Sequence, residues 1–156
     1  PLQPQPLGAA GLLAEALAEA QPRAQAAGVR LEQAALPAEL AGRSWLLDPR
    51  LVQRALANLV ANALRHAPPG GWVRLAARAE GDTLLLEVAD NGPGLAPDQR
   101  SALAAGQAPR AAAAGGSGFG LAFVQQVAAC HGGTLHAPDG PGGRLLLRLR
   151  SASGNP

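Results

Sequence analysis

Apolar positions recur along this chain with two periods, and the switches between them lay out its elements. From Leu7 to Ala27, Ala, Leu and Glu recur at helical spacing, which predicts a helix interrupted near Pro22 and stopped by Gly28. Val29 to Leu36 and Ser44 to Leu47 read as short strands. Asp48-Pro49 is a helix start, with Asp as the cap and proline at the first helical position. The stripe Ala55, Leu56, Leu59, Val60 and Ala63 carries that helix to about His66, where Pro68-Pro69-Gly70-Gly71 ends it.

A period of two then takes over. Trp72 to Ala79 and Thr83 to Ala89 read as strands joined through Glu80-Gly81-Asp82, a hairpin with a short turn. Val73, Leu75, Ala77 and Ala79 share one face, with Arg74 and Arg78 opposite. Late in the chain Leu145, Leu147 and Leu149 share a face, with Arg144, Arg148 and Arg150 opposite. This is the pattern of an antiparallel sheet with one face buried and one wet. Leu84-Leu85-Leu86 breaks the alternation and predicts a central strand, or one covered on both faces. Leu95 to Ala105 reads as a short helix, Gly106 to Gly116 as a loop, Gly118 to His131 as a helix and Thr134 to His136 as a strand. The expected organisation is a Pro-rich linker over 1–6, one domain over 7–150 and a tail over 151–156.

Composition narrows the functional classes. At 156 residues and 47% hydrophobic content the chain makes one domain with an ample core. Met and Tyr are absent and aromatics make up 3%, so that core must be Leu, Val and Ala. The basic residues are all Arg and are scattered, and a net charge of +2 argues against a nucleic-acid partner. Cys130 is the lone cysteine, which leaves no disulfide framework or cysteine metal site and fits an intracellular compartment. No apolar run approaches the ~20 residues of a membrane span, and no signal peptide is visible. A soluble monomer without direct membrane contact is expected.

Three short motifs carry the chemistry. Asn58-Leu-Val-Ala-Asn62-Ala-Leu-Arg65-His66 sits in the second helix, so Asn58, Asn62 and Arg65 fall on one stripe beside the apolar one. A carboxamide oxygen is a hard neutral ligand suited to Mg²⁺, and Arg65, one turn on, is placed to reach the same phosphates. The plain alternative is a pair of polar border positions. Asp90 shares the parity of Leu84, Leu86 and Val88, so it points to their apolar face. A carboxylate there is costly unless hydrogen-bonded, and an adenine amino group is a donor that would satisfy it. Asn91-Gly92-Pro-Gly94 lets the backbone turn without side-chain bulk, although an ordinary Asx turn reads the same way. Gly116, Gly118 and Gly120 precede the helix beginning near Phe119, where free N–H groups favour anions; a flexible junction is the alternative. The stretch is neither a Walker A loop nor a dinucleotide fingerprint.

In this order and spacing the motifs resemble the ATP-binding catalytic domain of bacterial sensor histidine kinases, EnvZ-like, within the gyrase, chaperone, histidine kinase and mismatch-repair ATPase superfamily. Asn58 to His66 resembles the N box, Asp90 to Gly94 the G1 box, Gly116 to Leu121 the G2 box, and Cys130-His131-Gly132-Gly133 the turn after the last helix. The resemblance covers roughly Leu7 to Arg150. It implies an α/β two-layer sandwich (the Bergerat fold), a mixed, mostly antiparallel sheet with three helices on one face and a lid between G1 and G2. It further implies that Asn62 binds Mg²⁺, that Asn58 and Arg65 serve the phosphate side and catalysis, and that His66 flanks adenine. Asp90 would hold the adenine amine and Gly92 and Gly94 would shape that wall. Gly118 and Gly120 would hinge the lid and contact phosphate, joined in the nucleotide site by Gly116, Phe119, Leu121 and the lid's Arg110.

The resemblance also sets the chemistry. Hydrolysing members of the superfamily carry a water-activating Glu four residues before the Mg²⁺ ligand; this chain carries Asn58, a poor base. The expected reaction is transfer of the γ-phosphoryl of ATP to a protein histidine. None of His66, His131 and His136 sits in an acceptor context, and His131 and His136 read as structural or exposed. The acceptor is therefore expected on an upstream dimerisation domain of a parent inner-membrane sensor, with a response regulator as onward partner. One departure opens a rival: Ser101 to Pro109 holds no Phe where the family has its Phe-rich F box. A degenerate nucleotide-binding or regulatory module is that rival, and an anti-sigma-factor serine kinase a further one.

Overall fold

Five strands form the main sheet of the computed structural model, which describes residues 1–107 and 119–152. In chain order the elements are β1 (Gln5–Leu7), α1 (Ala9–Ala27), β2 (Arg30–Gln33), a 3-10 turn (Ala38–Leu40), β3 (Trp45–Leu47) and α2 (Pro49–His66). Then come β4 (Trp72–Glu80), β5 (Thr83–Asp90), α3 (Pro97–Ala104), α4 (Phe119–Cys130), β6 (Thr134–His136) and β7 (Gly143–Arg150). The sheet order is β2-β4-β5-β7-β6. β2 runs parallel to β4, as a crossover through α2 demands, and the other pairs are antiparallel. β1 and β3 make a separate antiparallel ribbon.

Strand parity sorts the sheet into two faces. Leu75, Val88 and Leu145 lie abreast on β4, β5 and β7, as do Ala77, Leu86 and Leu147. These residues join Leu12, Leu13, Leu56, Leu59 and Val124 of α1, α2 and α4 in one core. The opposite face is a lattice of ion pairs: Arg144 with Glu87 at 2.6 Å, Arg74 with Glu32 at 2.9 Å, Arg150 with Asp82 at 3.1 Å and Arg148 with Glu80 at 3.2 Å. Leu85 lies on this wet face between Arg78 and Arg148 and is nevertheless fully buried. Long Arg stems lie over apolar surface while their heads stay in water, so the broken alternation at Leu84-Leu85-Leu86 is a central strand covered on both faces.

Two boundaries differ from the expectation. The first helix is continuous through Pro22. Pro22 and Ala18, whose carbonyl loses its helical partner, are both exposed, so water takes the bond. The opening segment expected as linker contains β1, and at the other end the Ala152 N–H donates to the Leu46 carbonyl while the Leu46 N–H donates to Ser151 Oγ, both at 2.9 Å. Both ends of the described chain are thus tied to β3.

Candidate functional site

The helix carrying the carboxamides is fixed at its start by Asp48. Its Oδ1 accepts the N–H of Arg50 at 3.2 Å and of Leu51 at 3.3 Å, and its Oδ2 accepts the Gln3 N–H at 3.1 Å. The Gln3 bond, ahead of the partial burial that opposes it, holds the Asp48 carboxyl below the usual carboxylate range. The Asp48 N–H in turn donates to His131 Nε2 at 3.0 Å, and His131 Nδ1 lies 2.8 Å from the Val127 carbonyl. Those partners fix the neutral Nδ1–H tautomer, because Nε2 must accept and Nδ1 must donate.

At the far end of α2 the stripe opens onto a slot. Asn62 is buried and its Oδ1 accepts Arg65 Nη2 at 3.3 Å, while Arg65 and His66 are exposed on the last turn. Across the slot Asp90, 4% exposed, ends β5 on the core face. Its Oδ1 accepts the Gly92 N–H at 2.7 Å. Burial raises the Asp90 carboxyl above its ordinary range, against the pull of the Gly92 and Gly143 N–H groups and of His66. A carboxylate so placed gains from any donor entering the slot.

Glycine walls this carboxylate. A Cβ on Gly92 would fall 2.2 Å from the His66 carbonyl oxygen, and one on Gly143 would fall 2.4 Å from Asp90 Oδ2. Gly94 turns with φ of +78°, and a Cβ there would lie 2.7 Å from the Gly142 carbonyl oxygen. Leu59 and Val88 make the apolar floor, with Leu95 at the rim. The free volume inside is about 10 Å³, one water's worth.

The structure brings Asn62, His66, Asp90 and Gly94 to one slot, with Gly92 behind the carboxylate and Arg65 against Asn62. Asn58 lies half-buried one turn before Asn62. Gly120 falls in the first turn of α4, and Leu121 is buried in the core. Phe119 begins α4, while Arg110, Gly116, Gly118 and the loop they belong to lie outside the described residues. Sequence reasoning missed Gly143. Its signal was the run Gly140-Pro-Gly142-Gly143 before the last strand, whose register with Asp90 only the pairing reveals. Leu103, 2% exposed on α3, was also missed; it supplies an apolar anchor in the segment where the resemblance expects a Phe. Among the described residues no three His, Cys, Asp or Glu side chains gather to hold a metal.

Residues 47–153 match the model of the family described as histidine kinase-, DNA gyrase B- and HSP90-like ATPase. The chain is 40% identical over 99 residues to the sensor-like histidine kinase SenX3 of Mycobacterium tuberculosis, covering 61% of this chain and 24% of that protein. It is 38% identical over 125 residues to the sensor protein KdpD of Rathayibacter rathayi, covering 77% of this chain and 14% of that one. It therefore spans about a quarter or less of these relatives. Among solved structures it resembles full-length ShkA in complex with AMPPNP, with a TM-score of 0.77 and 28% identity over 99% of this chain and 33% of that one. The ATP-binding domain of PrrB from Mycobacterium tuberculosis superposes with a TM-score of 0.71 and 26% identity, covering 96% of this chain and 98% of that one. The chain belongs to the histidine kinase-, DNA gyrase B- and HSP90-like ATPase family, and the relatives it matches include sensor histidine kinases.

Proposed function

We propose that this domain binds Mg·ATP in the Asp90 slot and donates the γ-phosphoryl to a histidine on a separate dimerisation domain of its parent kinase. The observation that carries this reading is the buried Asp90 carboxylate, bracketed by Gly92 and Gly143 and facing Asn62 and His66 across the slot. Asp90 is acceptor-only when ionised and sits where an adenine amino group would donate. The glycines leave room for the carboxylate, since a side chain at Gly92 would collide with the His66 carbonyl and one at Gly143 with the carboxylate itself. Seating a purine requires the slot to open, because the free volume is about 10 Å³.

The phosphate side follows from α2. Asn62 Oδ1, already oriented by Arg65, offers one neutral oxygen to Mg²⁺, and the remaining ligands would be waters and phosphate oxygens. Bound there, Mg²⁺ would neutralise charge developing on the phosphates. Arg65 lies beside that oxygen as a second positive group. Asn58 has no basic function with which to activate water, which favours transfer over hydrolysis. Leu103 favours a competent domain over an eroded one, because the segment lacking Phe is still anchored in the core. The parent's response regulator and its membrane attachment are extensions of the same proposal; among the described residues no helix is long and apolar enough to cross a membrane.

The test is phosphotransfer. Mixed with its parent's dimerisation domain and γ-labelled ATP, the chain is expected to label that domain with a phosphate lost in acid and kept in alkali. Label that survives acid would indicate a serine acceptor, and no label with nucleotide bound would indicate a regulatory module.

A further inference from the structure

Arg54 is an exposed residue of α2 whose guanidinium carbon lies 4.5 Å from the ring centroid of Phe123 on α4. Among the described residues no carboxylate pairs with it, as with Arg23, Arg43, Arg50, Arg65 and Arg78, whereas Arg30, Arg74, Arg100, Arg144, Arg148 and Arg150 have one. Its position is set from two directions. Along α2 it is one turn before Asn58 and two before Asn62, about 6 and 12 Å along the axis. It thus extends the polar stripe away from the adenine end at His66. Along α4, Phe123 is one turn, about 6 Å, inside the helix start at Phe119, whose N-terminus favours anions. Arg54 thus joins the α2 stripe to the second turn of α4.

We propose that Arg54 is the cation that engages the terminal phosphate of the bound nucleoside triphosphate, with Phe123 as the platform that holds its guanidinium at that end of the slot. The inference rests on the nucleotide reading above and goes further by dividing the cations: Arg65 serves the phosphates beside Asn62, and Arg54 reads the last one. A guanidinium over a half-buried ring is held more weakly than one making charge-assisted bonds to phosphate, so a terminal phosphate draws it off Phe123. A diphosphate does not reach it. Arg54 is then what distinguishes triphosphate from diphosphate, and a domain that must release its spent nucleotide gains from such a contact.

Calorimetric titration with Mg²⁺ and either ADP or the β,γ-imido analogue of ATP tests this on wild type, Arg54→Ala, Arg54→Lys and Asp90→Asn. Thermal midpoints without nucleotide are read in parallel. Arg54→Ala is expected to weaken the triphosphate analogue about tenfold while ADP affinity stays within about twofold; Arg54→Lys is expected to recover part of the loss. A midpoint lowered by Arg54→Ala with the triphosphate-to-diphosphate ratio unchanged would make the Arg54–Phe123 contact a structural staple and overturn the proposal. So would equal weakening of both nucleotides, or no weakening of either. Asp90→Asn should lose both nucleotides alike, which separates failure of the slot from failure of Arg54. Wild type taking neither nucleotide would overturn the nucleotide reading and this inference with it.

Discussion

The Asp48 N–H donates to His131 Nε2 across 3.0 Å, joining the N-cap of the carboxamide helix to the turn that ends α4. Asp48 also carries the Gln3 N–H on its carboxylate, so three separate parts of the chain meet at one residue. The helix that presents Asn62 is held at its start by side chains far from the slot.

Replacing His131 with Ala should therefore cost about 1–3 kcal/mol, since it empties a buried position and leaves the Asp48 N–H without a partner, while the Val127 carbonyl keeps the backbone N–H of residue 131. Urea denaturation checks this. His131→Ala with wild-type stability would mean that water or a shifted backbone satisfies the Asp48 N–H.

Asp48 makes the fold sensitive to acid. Its carboxyl titrates below the usual range in the folded state, so its contribution is present above the unfolded pKa and is lost as pH falls through the folded one. Asp48→Ala should lower stability near neutrality by about 1 kcal/mol and flatten the acid limb of stability against pH. An acid limb that superposes on the wild type would assign the acid sensitivity to other carboxylates.

Asp90 has the opposite sign. Its folded pKa is raised, so its ionised form is disfavoured in the fold; the contribution is full below the unfolded pKa and is lost as pH rises through the folded one. At neutral pH the unliganded domain carries this cost. Asp90→Asn removes it and forfeits the bond from Gly143, so stability should stay within about 1 kcal/mol of wild type while nucleotide binding is lost. Large destabilisation would make Asp90 a structural residue first.

Gly143 should tolerate no side chain. In Gly143→Ala the new methyl falls 2.4 Å from Asp90 Oδ2 and displaces the carboxylate. Nucleotide affinity should drop at least about tenfold at a stability cost of about 1–3 kcal/mol. Unchanged affinity would show that the β7 end of the slot moves freely.

Much of this architecture is legible from local pattern. Asp48-Pro49, the apolar stripe of α2 and the alternation around Val73 to Ala79 specify their elements with residues close in sequence. What escaped depends on partners far away. β1 is a strand only because β3 pairs with it, and Pro22 stays helical because the exposed Ala18 carbonyl meets water. In the site, Asn62 and Asp90 were readable because each is a polar residue at an apolar position. Gly143 was not, because an absent side chain matters only once β7 lies against β5 with Gly143 opposite Asp90.

On the proposed reading, the Asp90 slot is a Mg²⁺-dependent adenine nucleotide site. The most direct measurement is calorimetric titration of this chain with a non-hydrolysable ATP analogue, with Mg²⁺ and again with EDTA, beside Asp90→Asn. Micromolar-range binding that weakens when Mg²⁺ is removed and disappears in the variant is the predicted result. Undiminished binding by folded Asp90→Asn, or none by wild type at millimolar nucleotide, would contradict the account.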